Sequence, residues 1–130
     1  MLRLENHKIL IVDDDPDILE SFDLAMRAEG ATTITSEDGT EAVSSALEHS
    51  PDAVILDMML PKRSGFLVLE ELLSMETPPI VVMVTANEGK RHMAYAKTLG
   101  VAAYLIKPVG LDRLIDTVSC LLQEDKKNNE

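Results

Sequence analysis

The chain has one cysteine, Cys120, so it forms no internal disulfide and offers no thiolate cluster for zinc. It also lacks a targeting or membrane segment at its start. The early apolar run Ile9 to Val12 is far too short for a signal peptide or a membrane span, and it stops at three aspartates. No Gly-rich phosphate loop of the P-loop or dinucleotide type is present, which leaves ordinary nucleotide binding without support. Basic residues are scarce: 12 Lys and Arg stand against 23 Asp and Glu, a formal charge of -11. That balance argues against direct binding to DNA or RNA and toward basic or neutral partners. A soluble cytoplasmic protein, with no membrane partner, is expected.

What is present suits one domain. At 130 residues the length fits a single core, and 45% hydrophobic residues are enough to build it. Short apolar runs alternate with helical stripes, the mark of an α/β unit with a parallel sheet. Ile9-Val12, Thr32-Thr35, Ala53-Leu56, Ile80-Val84 and Ala102-Ile106 read as five strands. Between and after them, stripes at three- and four-residue spacing read as five helices. The last stripe is Leu111, Leu114, Ile115, Val118, Leu121 and Leu122, with Cys120 expected to pack beside it. The domain is therefore placed at 1-122, and the polar stretch 123-130 reads as a tail or the start of a linker.

Function is signalled by the polar groups at strand ends. Asp13, Asp14 and Asp15 follow the first strand, Asp57 the third, Thr85 the fourth, and Lys107-Pro108 the fifth. In open α/β sheets such ends converge in one crevice near a switch in strand order. Carboxylates gathered there repel, and a hard divalent cation relieves them; Mg2+ is the expected cofactor, with Mn2+ as its substitute. An arriving phosphoryl group would meet the metal, Lys107 and the Thr85 hydroxyl, and Asp57 can be the nucleophile that forms an aspartyl phosphate. Asp15, just before Pro16, is expected to cap a helix. His7, His49 and His92 have no metal-ligand spacing and are expected at the surface.

The segments ILIVDDDPD, AVILDMMLPKRSG, VVMVTAN and GVAAYLIKP, spread from Ile9 to Pro108, resemble the receiver domains of bacterial two-component response regulators. The resemblance implies a flavodoxin-like doubly wound fold, (βα)5, with a parallel sheet of order 2-1-3-4-5 and helices on both faces. It implies that Asp57 is the phosphoacceptor and a metal ligand, that Asp14 is the main acidic ligand, that Met59 offers its backbone carbonyl, and that Asp13 acts through water. Lys107 and the Ala86 N–H would hold phosphoryl oxygens. Thr85 and Tyr104 would form the switch, Met59 and Asn87 would tune phosphate lifetime, and the Lys107-Pro108 bond would be cis.

The implied donor is a histidine kinase or a histidine phosphotransfer protein, and the receiver of the signal is a downstream protein or an attached output domain. Phosphorylation would shift the surface of the fourth helix, fifth strand and fifth helix, which could also form a homodimer. Ala102-Ala103 replaces the acidic pair that one DNA-binding subgroup uses in a salt-bridged dimer. The implied activity is a phosphotransfer switch that also hydrolyses its own phosphate, rather than a metabolic enzyme. Two other readings stand beside it. One is a phosphorylation-independent adaptor of the same fold. The other is a haloacid-dehalogenase-type phosphatase using Asp13 as nucleophile with Asp15 as its acid.

Overall fold

The computed structural model describes residues 2–86 and 89–128. The apolar runs become strands β1 (Lys8–Val12), β2 (Thr32–Ser36), β3 (Ala53–Leu56), β4 (Ile80–Thr85) and β5 (Ala103–Ile106). They alternate with helices α1 (Pro16–Ala28), α2 (Gly39–His49), α3 (Gly65–Leu73), α4 (Lys90–Leu99) and α5 (Leu111–Asn128). All strand pairs are parallel, and the sheet order is β2-β1-β3-β4-β5. The chain builds outward from β1 to β2, then crosses back to place β3 on the other side. The switch in order therefore lies between β1 and β3, where such sheets open a crevice at their carboxyl ends.

The two-residue period of a strand sends neighbouring side chains to opposite faces, and here both faces are apolar. Ile9, Ile11, Ile55, Val82 and Val84 join Leu19, Phe22, Met26, Leu114 and Val118 under α1 and α5. Leu10, Val12, Val54, Leu56, Val81 and Met83 join Ala42, Ala46, Val68, Leu69, Leu72 and Ala96 under α2, α3 and α4. Each fully buried Leu, Ile or Val contributes about 1.5–3 kcal/mol, so the central strands carry much of the fold's stability. α4 is the poorest contributor, since Ala96 is its one fully buried residue.

The structure departs from the sequence reading in three places. α5 continues to Asn128, past Leu122, where polar residues read as a tail. Gln123 to Lys126 are exposed, so this extension adds no core; Gln, Glu and Lys propagate a helix well once tertiary packing has nucleated it. Cys120 is exposed, and its neighbour Ser119 takes the buried position between Val118 and Leu122. His7 is half-buried, with its Nδ1 enclosed and without a hydrogen-bond partner among the described residues.

Candidate functional site

Strand register builds the site. Val12 lies beside Leu56, so Asp13 and Asp57, each the next residue in the chain, leave adjacent strands together. The Asp57 N–H donates to the Val12 carbonyl at 3.0 Å, and the Asp13 N–H donates to that of Ser36 at 3.2 Å. Asp13 and Asp57 are buried, while Asp14 is exposed at the mouth. Carboxylate oxygens of the three lie within 4.8 Å of one another.

Lys107 reaches the same point from the end of β5. Its Nζ donates to Asp13 Oδ2 at 2.7 Å and to Asp57 Oδ2 at 3.2 Å. Each buried carboxylate keeps its second oxygen on backbone: the Asp15 N–H donates to Asp13 Oδ1 at 2.9 Å, and the Met59 N–H donates to Asp57 Oδ1 at 3.2 Å. Both side chains are thereby held in one orientation. The Lys107 N–H donates to the Thr85 carbonyl at 2.9 Å, and the Lys107-Pro108 peptide is cis.

The electrostatics follow from burial and crowding. Burial pushes the Asp13 carboxyl above its ordinary value, and the Lys107 hydrogen bond pulls against that rise. Burial alone would lower the Lys107 ammonium, but its hydrogen bond to Asp13 and the charge of Asp57 outweigh it and hold the amine above its ordinary value. The Tyr104 hydroxyl is raised as well, by burial first and then by the nearby Asp57 charge.

The remaining sequence candidates fall around this centre. Thr85 is fully buried at the end of β4, and Ala86 beside it is exposed. Tyr104, on the neighbouring strand, is half-buried, and its hydroxyl points to Met58 Sδ at 4.0 Å. Met59 is 62% exposed, whereas Met58 packs into the core, so consecutive methionines have opposite roles. Asn87 lies outside the described residues. Asp15 accepts from the N–H groups of Asp17 and Ile18 and caps α1. Its carboxylate is thus taken up in the helix cap.

The donor set fits a hard divalent cation. Three carboxylates face one ammonium, which sits on the buried pair, while Asp14 stands on the solvent side where a cation could keep part of its water shell. Oxygen donors alone, with no imidazole or thiolate among them, suit Mg2+ or Mn2+.

Pro61 and Gly65 read in the sequence as loop formers that shape the rim beside Asp57, but the contacts that hold this loop were not legible there. Gly65 donates its N–H to the Met58 carbonyl at 2.8 Å, and a Cβ there would lie 2.5 Å from the Asp57 carbonyl oxygen. Farther along, Lys62 has a φ of 68°, and its Nζ lies 3.5 Å from Asp38 Oδ2. Lysine carries no signal for a left-handed conformation, so this turn was illegible. On the α2 side, Asp38-Gly39, a polar pair before a helical stripe, was the available hint.

Comparisons with known proteins agree with this fold. The family model for the response regulator receiver domain matches residues 9–119. The transcriptional regulatory protein PrrA of Mycobacterium tuberculosis is 34% identical over 116 residues, covering 89% of this chain and 50% of the relative. The DNA-binding response regulator MtrA of Mycolicibacterium smegmatis is 34% identical over 119 residues, covering 92% of this chain and 52% of the relative. The chain thus spans about half the length of the curated relatives it matches. A CheY-like receiver domain protein of Methanospirillum hungatei superposes with a TM-score of 0.90 at 26% identity, covering 94% of this chain and 98% of that one. No described helix is long and apolar enough to cross a membrane. The matched span runs from β1 into α5 and takes in every strand end that meets in the crevice, so the chain belongs to the receiver domain family of two-component response regulators.

Proposed function

We propose that Asp57 accepts a phosphoryl group from a phosphohistidine of a histidine kinase or phosphotransfer protein, and that the resulting aspartyl phosphate switches the surface of α4, β5 and α5. The observation that carries this reading is the position of Asp57 Oδ2, buried beside Asp13, 3.2 Å from Lys107 Nζ, with Asp14 at the opening. In the transfer, an Asp57 oxygen forms a bond to phosphorus as the donor's P–N bond breaks. The electron pair returns to the imidazole nitrogen, which takes up a proton. With a small acyl phosphate the broken bond is P–O, and a carboxylate leaves.

Lys107, already charged and anchored on Asp13, offers its ammonium to the developing phosphoryl charge without having to reorganise. Asp14 and Asp57, the Met59 carbonyl, and Asp13 through water would hold Mg2+ or Mn2+. The bound cation would offset the charge brought together by carboxylates and phosphoryl oxygens. Hydrolysis uses the same groups: water attacks phosphorus, the P–O bond to Asp57 breaks, and inorganic phosphate leaves as the water's proton passes to it or to solvent.

The Thr85 hydroxyl and the Ala86 N–H would turn toward a phosphoryl group on Asp57, and Tyr104 on β5 would follow Thr85. Met59 and Asn87, two residues after Asp57 and Thr85 in sequence, would govern how readily water reaches the phosphate. α4 supports the switch reading because it buries little apolar surface. Gly89, its N-cap, has no side chain to cap the first turn, and Ala96 is its one fully buried residue. Asp116 on α5 is bonded to Arg3 of its own chain, and Ala103 stands on β5. The homodimer is therefore not proposed to rest on acidic pairs there. The downstream target is a partner protein or an attached output domain, in keeping with relatives described as transcriptional regulators.

Intact mass and peptide mapping after incubation with a small acyl phosphate test the assignment. A magnesium-dependent gain of one phosphoryl group on Asp57, absent in Asp57→Asn, is expected. No gain in the folded, metal-bound parent would leave the adaptor reading, and label on Asp13 would revive the phosphatase.

A further inference from the structure

The seven residues between Asp57 and Gly65 form the wall of the crevice that bears the Met59 carbonyl. One contact on this wall comes from a different part of the chain. The Gly39 N–H, at the start of α2, donates to the Pro61 carbonyl at 3.3 Å. A Cβ on Gly39 would lie 2.2 Å from the Arg63 carbonyl oxygen, 2.6 Å from its Cβ and 2.9 Å from its carbonyl carbon. Two of these three atoms are backbone, so a rotamer change would not make room. Any side chain at 39 must drive the loop and α2 apart.

The same junction is latched once more. Asp38, the N-cap of α2, accepts from the Glu41 N–H at 2.8 Å and also faces the Lys62 ammonium at 3.5 Å. Lys62 is the left-handed residue of the loop, a conformation of limited cost that persists when neighbours hold it. On the far side, the Arg63 guanidinium pairs with Glu71 of α3. The loop is thus held at Pro61, Lys62 and Arg63 from α2 and α3, while its first residues lead straight from Asp57.

We propose that Gly39 is a positioning residue for phosphoryl transfer: by admitting the Arg63 backbone into contact it sets the path of the loop, and with it the place of the Met59 carbonyl at the cation site. Asp38 and Lys62 latch that path. This inference rests on the reading of Asp57 as phosphoacceptor and names residues outside the crevice that determine its shape. Support from beyond the ligands themselves often matters about 10–100-fold for metal affinity.

The test is an amide chemical-shift titration with MgCl2 on the full chain, comparing the parent with Gly39→Ala. Phosphorylation by a small acyl phosphate is then followed across Mg2+ concentrations. Gly39→Ala is expected to move the amides of Met59 to Ser64 before any metal is added and to weaken Mg2+ binding about tenfold. The Mg2+ concentration for half-maximal phosphorylation should rise by the same factor, with most of the rate restored at saturation. Because Mg2+ itself stabilises the folded state, folding is judged first, from the dispersion of the amide spectrum without metal. Parental Mg2+ affinity in a folded Gly39→Ala, or a loss of rate that saturating Mg2+ does not restore, overturns the proposal.

If Gly39→Ala does not fold, Asp38→Ser decides, because it keeps a capping oxygen and removes the charge facing Lys62. It should weaken Mg2+ binding about twofold to fivefold, in the range of an exposed ion pair, and unchanged affinity overturns the latch. A parent that takes no label on Asp57 fails the phosphoacceptor reading instead, and the Mg2+ titration still judges Gly39.

Discussion

The two walls beside Asp57 are held to different degrees. The β3-α3 wall is closed by backbone contacts at Gly39 and Gly65, by the Asp38-Lys62 pair, and by α3, whose Val68, Leu69 and Leu72 are completely buried. The β4-α4 wall leads through Thr85 and Ala86 into a helix that buries Ala96 and rests on α3 through the ring contacts of Phe66 with His92 and Tyr95. A group that must hold a cation and a nucleophile in register belongs on the first wall. A group that must respond to a new charge belongs on the second. The difference teaches that one crevice can be both preorganised and responsive when its two sides are packed unequally.

The largest test is all-or-none: Asp57→Asn should keep the fold and lose phosphoryl uptake entirely, as read by intact mass. Next, Leu69→Ala in the firm wall should cost about 2–5 kcal/mol in denaturant unfolding, because a fully buried leucine leaves a cavity that a packed sheet cannot close. If it costs under about 1 kcal/mol, the firm wall is not firm. Mg2+ at about 100 times its Kd should raise unfolding stability by about 2.7 kcal/mol, and Asp14→Ala should remove most of that gain at the same Mg2+ concentration.

A smaller effect is expected on the loose wall. Tyr95→Ala removes the edge-to-face contact with Phe66, at 5.0 Å between centroids, and the hydroxyl bond to Glu70. Hydrogen exchange should quicken within α4 while the global unfolding midpoint moves little; equal acceleration in α3 would erase the distinction between the walls. The smallest concerns pH. The Glu41 N–H first, with the Lys62 charge behind it, holds the Asp38 carboxyl below its ordinary value of 3.8, against the opposing effect of burial. Its stabilisation is present at and above that ordinary value and is lost as pH falls through the lower value of the folded state. Asp38→Ala should therefore lower Tm at neutral pH, and the gap from the parent should close in acid.

Much of this is legible in the sequence. Strands such as Ala53 to Leu56 are short, apolar and bounded by turn residues, so local pattern decides them. Asp57, Thr85 and Lys107 stand out because polar residues directly follow buried strands. The phase of α5 was not so clear: Cys120 and Ser119 are both small, and which of them faces the sheet depends on how the helix rolls onto β4 and β5. The end of α5 escaped for a related reason, since polarity speaks to burial and not to whether a nucleated helix stops.

By itself, then, the order of apolar and polar residues determined five alternating βα units and put acidic, hydroxyl and ammonium groups at strand ends. It could do so because strand and helix periods are local properties of the chain. Tertiary structure alone decided that Asp13 pairs with Lys107 while Asp14 stays at the mouth. It also decided that Gly39 meets Arg63 and that Lys62 turns left-handed against Asp38. Those outcomes depend on contacts between segments far apart in sequence, whose distances are set when the sheet is assembled.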